Sequence, residues 1–320
     1  MKLLVAFLRL IRWPNLVFIA ITQWLFYFFV VESLQLEKTT ISLINPSQHL
    51  LFYLLMAASV LIAAAGYIIN DYFDMHIDAI NKPEKVVVDK VVKRRWAIIW
   101  HLVLSFAGVL LSFFISYKTG TWIIFFANIF CVLLLWFYST TFKKKLLAGN
   151  IIIAALTAWV IVVVYFFAGA AIINYNGWHM GNYSFDIKRL YKFTILYAGF
   201  AFIVSLIREV IKDLEDMHGD AKYHCKTMPI EWGVPATKVF TAVWIIVCCS
   251  ALAIVQLYMW QSGWWGSAIY CIVLIIFPLV YILRELYKAV IPADYHRLST
   301  FIKVVMLTGI LSMIFFKFYS

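Results

Sequence analysis

Along this chain long apolar runs alternate with short polar connections. Nine runs stand out, at about 14–31, 50–70, 96–116, 121–138, 147–171, 190–208, 237–260, 265–283 and 300–318. Each is long enough for a crossing of roughly 20 residues with some tilt. None shows the apolar–polar alternation of short strands that a closed β-barrel requires. In lipid only helices and closed barrels satisfy every backbone group, so the runs read as helices. The pattern predicts an all-α polytopic membrane protein with nine transmembrane helices in a single domain over residues 1–320.

Two polar stretches break the pattern in the same way. Asn70-Asp71-Tyr72-Phe73-Asp74-Met75-His76-Ile77-Asp78 follows the second apolar run. Arg208-Glu209-Val210-Ile211-Lys212-Asp213-Leu214-Glu215-Asp216-Met217-His218-Gly219-Asp220 follows the sixth. Asp71, Asp74 and Asp78 have the same i, i+3, i+7 spacing as Asp213, Asp216 and Asp220, which keeps each triplet on one helical face. The two stretches hold half of the chain's 16 acidic residues. Three like charges on one face repel, and hard carboxylate oxygens suit Mg²⁺ as the neutralising ion. His76 and His218 fall off the carboxylate faces and are expected at most to support them.

Composition agrees with a membrane protein: 64% of the 320 residues are hydrophobic and 13% are charged. The net charge of +11 does not point to nucleic acid, because the basic residues sit in short connections between apolar runs. The five cysteines form no CxxC pair and read as small buried hydrophobes. Arg9 and Arg12 interrupt the first apolar residues, which argues against a cleavable signal peptide. The aromatic connection at 172–189 reads as an interfacial belt.

Placing the N-terminus in the cytoplasm puts 21 of the 27 Lys and Arg residues on the cytoplasmic side, as the positive-inside tendency demands. The second and sixth runs then both travel inward. Both Asp triplets therefore end on the cytoplasmic side and open the two long connections at about 71–95 and 209–236. A Mg²⁺ site with basic residues close by suits a diphosphate. Lys85 follows the first triplet just after Pro83, a residue that ends a helix. Arg208 and Lys212 flank the second triplet. Lys143 lies in a third cytoplasmic connection, Tyr138-Ser139-Thr140-Thr141-Phe142-Lys143-Lys144-Lys145.

These residues resemble the UbiA superfamily of intramembrane prenyltransferases. Asn70 to Asp78 matches the family's N-D-x-x-D-x-x-x-D signature. Asp213 to Asp220, followed by Lys226-Thr227-Met228-Pro229, matches its second signature, D-x-x-D-x-x-x-D with K-T-x-P. The Tyr138–Lys143 connection and Gly149-Asn150 resemble the family's link between spans four and five. One departure is clear. Many members continue with N-x-P-x-R-P-x-x-x-G-R, whereas this chain has Asn81-Lys82-Pro83-Glu84-Lys85-Val86, with Lys85 in place of arginine. Lysine still neutralises phosphate, as a point charge rather than a planar fork.

The resemblance implies Mg²⁺ as cofactor, held by Asp71, Asp74, Asp78, Asp213, Asp216 and Asp220, with Asp71, Asp74 and Asp213 essential to catalysis. It implies an isoprenyl diphosphate donor bound by Asn70, Lys85, Tyr138, Lys143, Arg208 and Lys212. Tyr72, Phe73 and Tyr138 are candidates to stabilise the allylic cation. The acceptor is expected to be lipid-soluble, and membrane lipids are the other partners. The connections look most like the ether-lipid branch, which acts on geranylgeranylglyceryl phosphate. An aromatic acceptor such as 4-hydroxybenzoate or a dihydroxynaphthoate is the alternative. A CDP-alcohol phosphotransferase needs Asp-Gly and Ala-Arg pairs absent from Asn70–Asp78. A transporter usually keeps its carboxylates near the bilayer midplane, and these lie at the ends of runs.

Overall fold

A computed structural model describes residues 2–34, 46–81, 83, 87–178 and 187–319, without side chains at 2, 3, 46 and 171–178. Among these residues the chain is helical, with no strand beyond a single bridge between Val88 and Val92. The helices are α1 (Lys2–Leu10), α2 (Trp13–Leu25, continuing through a π segment at Phe26–Val31), α3 (Pro46–Asn81), α4 (Arg94–Thr119), α5 (Trp122–Thr140) and α6 (Ala148–Trp178). They are followed by α7 (Ile187–Lys222), α8 (Met228–Glu231), α9 (Gly233–Gln261), α10 (Trp265–Cys271), α11 (Phe277–Lys288), α12 (Pro292–Leu311) and α13 (Phe316–Tyr319). Nine spans among the described residues are long and apolar enough to cross a membrane, and they coincide with the nine apolar runs. Their outward faces carry large exposed apolar side chains such as Phe106, Val239, Ile254 and Leu257, the surface that lipid covers. The protein is a multi-pass membrane protein.

The helix ends differ from expectation where function is concentrated. The sequence places residues 71–95 and 209–236 in connections, but α3 runs on to Asn81 and α7 to Lys222, so both Asp triplets are helical. Hydropathy sees only the part of a helix that hydrocarbon surrounds. The polar ends stay helical because their other face is apolar. On α3, Met75 packs with Ile68, Leu10, Val88 and Ala97. On α7, Ile207, Ile211 and Leu214 recur at helical spacing and are almost fully buried. The α6 backbone likewise continues to Trp178 into the expected aromatic connection, residues 179–186 of it lie outside the described residues, and 187–189 already belong to α7. All five cysteines are free.

The chain divides into two compact units. The first contains residues 1–141 and 159–195, and the second contains residues 142–158 and 196–320, so α6 and α7 contribute to both. Within the first, α3 packs against α2, α4 and α5. α3 approaches α5 tightly at Gly66, where an added Cβ would lie 2.8 Å from Leu135. Small residues permit such contact between helices in lipid. Buried amides cross-link the same unit: Gln23 donates to Ser59 Oγ and to the Val160 carbonyl, each at 3.0 Å. Asn128 donates to Ser112 Oγ at 2.8 Å and accepts from the Trp159 indole at 3.0 Å. Within the second unit α9, α10, α11 and α12 pack together, and Gly309 admits the ring of Phe200 against α12.

Candidate active site

In the first unit the Asp triplet occupies the last three turns of α3. Asp74 is buried, while Asp71 and Asp78 are half-buried. His76 is exposed, in keeping with its place off the carboxylate face. Asn70 Nδ2 donates to Asp74 Oδ2 at 2.6 Å, an i to i+4 pair that orients the carboxylate. Asp71 accepts from Arg12 Nη2 at 2.6 Å. Arg12 also lies 5.3 Å from the ring centre of Tyr67. Asp71 raises the pKa of the guanidinium further, so Arg12 is a permanent cation. Arg12 joins α1 to α2 with a left-handed backbone, φ 50°. That conformation is costly for a residue with a Cβ and persists where surrounding contacts fix it. Phe73 meets Trp136 edge-on at 5.9 Å and Tyr72 at 5.1 Å, which adds Trp136 to the aromatic candidates. Tyr138 is half-buried near the end of α5.

In the second unit Asp213 accepts from Asn150 Nδ2 at 2.8 Å. Asn150 is buried in the first turn of α6, directly after Leu147, another non-glycine residue with a left-handed backbone, φ 57°. Asp220 is buried and Asp216 half-buried on the same face of α7. Glu209, one turn before Asp213, is paired with two expected substrate cations: Arg208 at 2.7 Å and Lys212 at 2.9 Å. Glu215 points elsewhere and meets His296 of α12 at 2.9 Å. Lys143 is half-buried in the short 3-10 turn Phe142–Lys144. Lys85 lies outside the described residues.

Sequence reasoning therefore missed Arg12 and the specific role of Asn150. Arg12 was visible as a cytoplasmic positive charge and an interruption of the first apolar residues, with no place in the site. Asn150 was visible as part of the Gly149-Asn150 pair that resembles the family's link between spans four and five, with no role assigned to it.

The donor set suits Mg²⁺. The Asn70 Oδ1 atom is shielded from solvent and has no hydrogen-bond partner among the described residues, beside the Asp74 carboxylate that its own amide holds. A neutral hard oxygen next to a carboxylate is what Mg²⁺ accepts. Among the described residues no three His, Cys, Asp or Glu side chains are gathered closely enough to enclose an ion. Mg²⁺ in phosphate-handling sites typically uses one or two carboxylates, water and the substrate's own oxygens, so an all-protein cage is not needed.

Comparison with known proteins agrees with the fold. The UbiA prenyltransferase family matches over residues 39–303. The chain is 33% identical over 226 residues to the digeranylgeranylglyceryl phosphate synthase of Methanoregula boonei, covering 70% of this chain and 71% of that protein. A solved digeranylgeranylglyceryl phosphate synthase superposes with TM-score 0.60 at 24% identity, covering 98% of this chain and 99% of that one. A UbiA homologue from Archaeoglobus fulgidus, bound to DMAPP and Mg²⁺, superposes with TM-score 0.55 at 16% identity, covering 96% and 98%. At such identities the two structures show the fold. The molecule is thus an intramembrane prenyltransferase. The chain belongs to the UbiA prenyltransferase family.

Proposed function

We propose that this protein transfers an isoprenyl group from an isoprenyl diphosphate to geranylgeranylglyceryl phosphate, with Mg²⁺ as cofactor and the reacting groups on the cytoplasmic side of the cell membrane. The observation that carries the acceptor is the similarity to digeranylgeranylglyceryl phosphate synthase, which extends over most of both chains. The whole of residues 1–320 acts as one prenyltransferase domain.

Asn70, Asp71, Asp74 and Asp78 on α3, and Asp213, Asp216 and Asp220 on α7, would hold the metal. Bound there, Mg²⁺ supplies positive charge that stabilises a departing diphosphate. The chain's own groups prepare and complete that charge distribution. Asn70 fixes the carboxylate of Asp74, Arg12 that of Asp71, and Asn150 that of Asp213. Lys143 and Lys85 neutralise phosphate oxygens, and Lys85 stands in for the family's arginine. Arg208 and Lys212, held by Glu209, add positive charge next to the second triplet. Phe73, Tyr72, Tyr138 and Trp136 offer π faces to an allylic cation. The apolar tail of the donor lies among helix faces open to lipid.

Both triplets reach the cytoplasmic face by the distribution of Lys and Arg along the chain, an argument independent of the carboxylates themselves. Steady-state rates with geranylgeranyl diphosphate and a panel of acceptors test the assignment. Geranylgeranylglyceryl phosphate is expected to give the highest kcat/KM. A higher value for 4-hydroxybenzoate or a dihydroxynaphthoate would replace it with the aromatic reading.

A further inference from the structure

Two connections in the second unit, neither bearing an Asp of the triplets, are fastened together. The Lys226 N–H donates to the Lys144 carbonyl at 2.9 Å. This bond ties the turn Phe142–Lys144 to the segment between α7 and α8. Each connection is also fastened to the helix of the second triplet. The Cys225 N–H donates to the Asp220 carbonyl at 3.0 Å, and Asn150, just beyond the first connection, holds Asp213. Each contains a non-glycine residue with a left-handed backbone: Leu147 at φ 57° and His224 at φ 54°. Strained backbone held by surrounding bonds commonly marks a binding segment.

The pairing collects positive charge. Lys144, Lys145 and Lys226 are exposed, and Lys143 is half-buried beside them in sequence. The two connections are therefore basic where their backbones meet, and a basic surface attracts an anion. Directly after Lys226, Thr227 is only 4% exposed, and its Oγ1 has no hydrogen-bond partner among the described residues. A buried hydroxyl lacking a partner is unfavourable, and a phosphate oxygen would accept its proton.

We propose that Lys144, Lys226 and Thr227 form a phosphomonoester subsite, and that it takes the phosphate of the lipid acceptor. The inference rests on the acceptor reading above and deepens it. In a glyceryl phosphate the attacking hydroxyl sits on the carbon next to the one that bears the phosphate ester. When that hydroxyl reaches the allylic carbon, the acceptor's phosphate lies only a few bonds from the reacting centre. The acceptor's phosphate then needs cations of its own beside those that serve the diphosphate. The paired connections provide a second set, fastened to the helix that carries Asp213.

The test is kinetic, on the full-length protein in phospholipid nanodiscs, with geranylgeranyl diphosphate as donor. Two acceptors are compared: geranylgeranylglyceryl phosphate and the same lipid lacking its phosphate. Lys226→Gln and Thr227→Val are each expected to raise the KM for the phosphorylated acceptor about tenfold, the loss of one charge-assisted hydrogen bond. The preference for phosphorylated over phosphate-free acceptor falls by the same factor, and the donor KM moves by less than about twofold. Thr227→Ser keeps the hydroxyl and restores the wild-type values. Lys226 is exposed, so its variant separates binding from folding. An equal rise in donor and acceptor KM would overturn the proposal by assigning these residues to the diphosphate, and an unchanged acceptor preference would leave the connections purely structural. Either outcome in an enzyme that uses the phosphorylated acceptor removes the subsite alone. A wild-type enzyme that turns over only aromatic acceptors removes the acceptor reading and the subsite together.

Discussion

Asn150→Ala isolates the part of the site that sequence reasoning did not assign. The amide of Asn150 is buried and donates to Asp213 at 2.8 Å from the first turn of a different helix. Alanine leaves the helix intact, since it is the best helix former. It removes one hydrogen bond to a carboxylate, a bond of about 1.5–3 kcal/mol. At about 1.4 kcal/mol per factor of ten, that corresponds to roughly 10–100-fold in whatever equilibrium needs Asp213 ionised and correctly aimed. Loss of an orienting partner of a metal ligand commonly costs about the same. The expected result is a 10–100-fold rise, in order of magnitude, in the Mg²⁺ concentration giving half-maximal rate at saturating donor and acceptor. Asn150→Asp should be at least as damaging, because a second carboxylate next to Asp213 disfavours ionisation of both. The assay is initial rate of isoprenyl transfer against Mg²⁺, with thermal melting in detergent as a folding control. An Asn150→Ala enzyme with normal melting and a Mg²⁺ dependence within about twofold of wild type would refute the claim that this contact prepares Asp213 for the metal.

Other expectations follow from the same arrangement. Asp71→Ala, Asp74→Ala and Asp213→Ala should each remove most activity, by at least about 10–100-fold in rate, and near-normal turnover in EDTA would contradict the metal reading outright. Lys85→Ala should raise the donor KM while Lys85→Arg keeps or improves activity; if Lys82→Ala has the same small effect as Lys85→Ala, Lys85 is only a topology signal. Gly66→Val should lower stability in detergent by about 1–3 kcal/mol, since Leu135 already occupies the space a Cβ needs, and an unchanged melting curve would show that α3 and α5 can part there. Single cysteines replacing Asp89 and Ser320 in a cysteine-free background should label from opposite sides of the membrane, and labelling from one side would show an error in the span count.

The spans were legible because a bilayer imposes one demand on every residue it surrounds, and runs such as 96–116 meet it without interruption. The ends of α3 and α7, the helices of the second and sixth apolar runs, were not legible in the same way. Past Ile69 and Ile207 the environment changes, and helix is maintained by an apolar stripe, Met75 on α3 and Ile211 and Leu214 on α7, too short to register as a hydropathy signal. The triplet spacing itself already implied a helix, and the structure follows the spacing rather than the hydropathy boundary. Partners of the carboxylates were harder to read. Arg12 lies 59 residues from Asp71 and Asn150 lies 63 residues from Asp213, so only folding brings either pair together. Glu209 stands four residues before Asp213 in the sequence, but its capture of Arg208 and Lys212 depends on rotamers that spacing does not fix.

The central claim is that this membrane protein makes an ether bond between an isoprenyl chain and a phosphorylated glycerol lipid. The most direct measurement is a mass spectrum of the lipid product, taken together with released diphosphate, after incubating the purified protein with geranylgeranyl diphosphate, geranylgeranylglyceryl phosphate and Mg²⁺. A product heavier than the acceptor by one geranylgeranyl group, its phosphate retained and formed in equal amount to diphosphate, is the predicted result. Diphosphate released without that product, or a product formed equally well in EDTA, would contradict it.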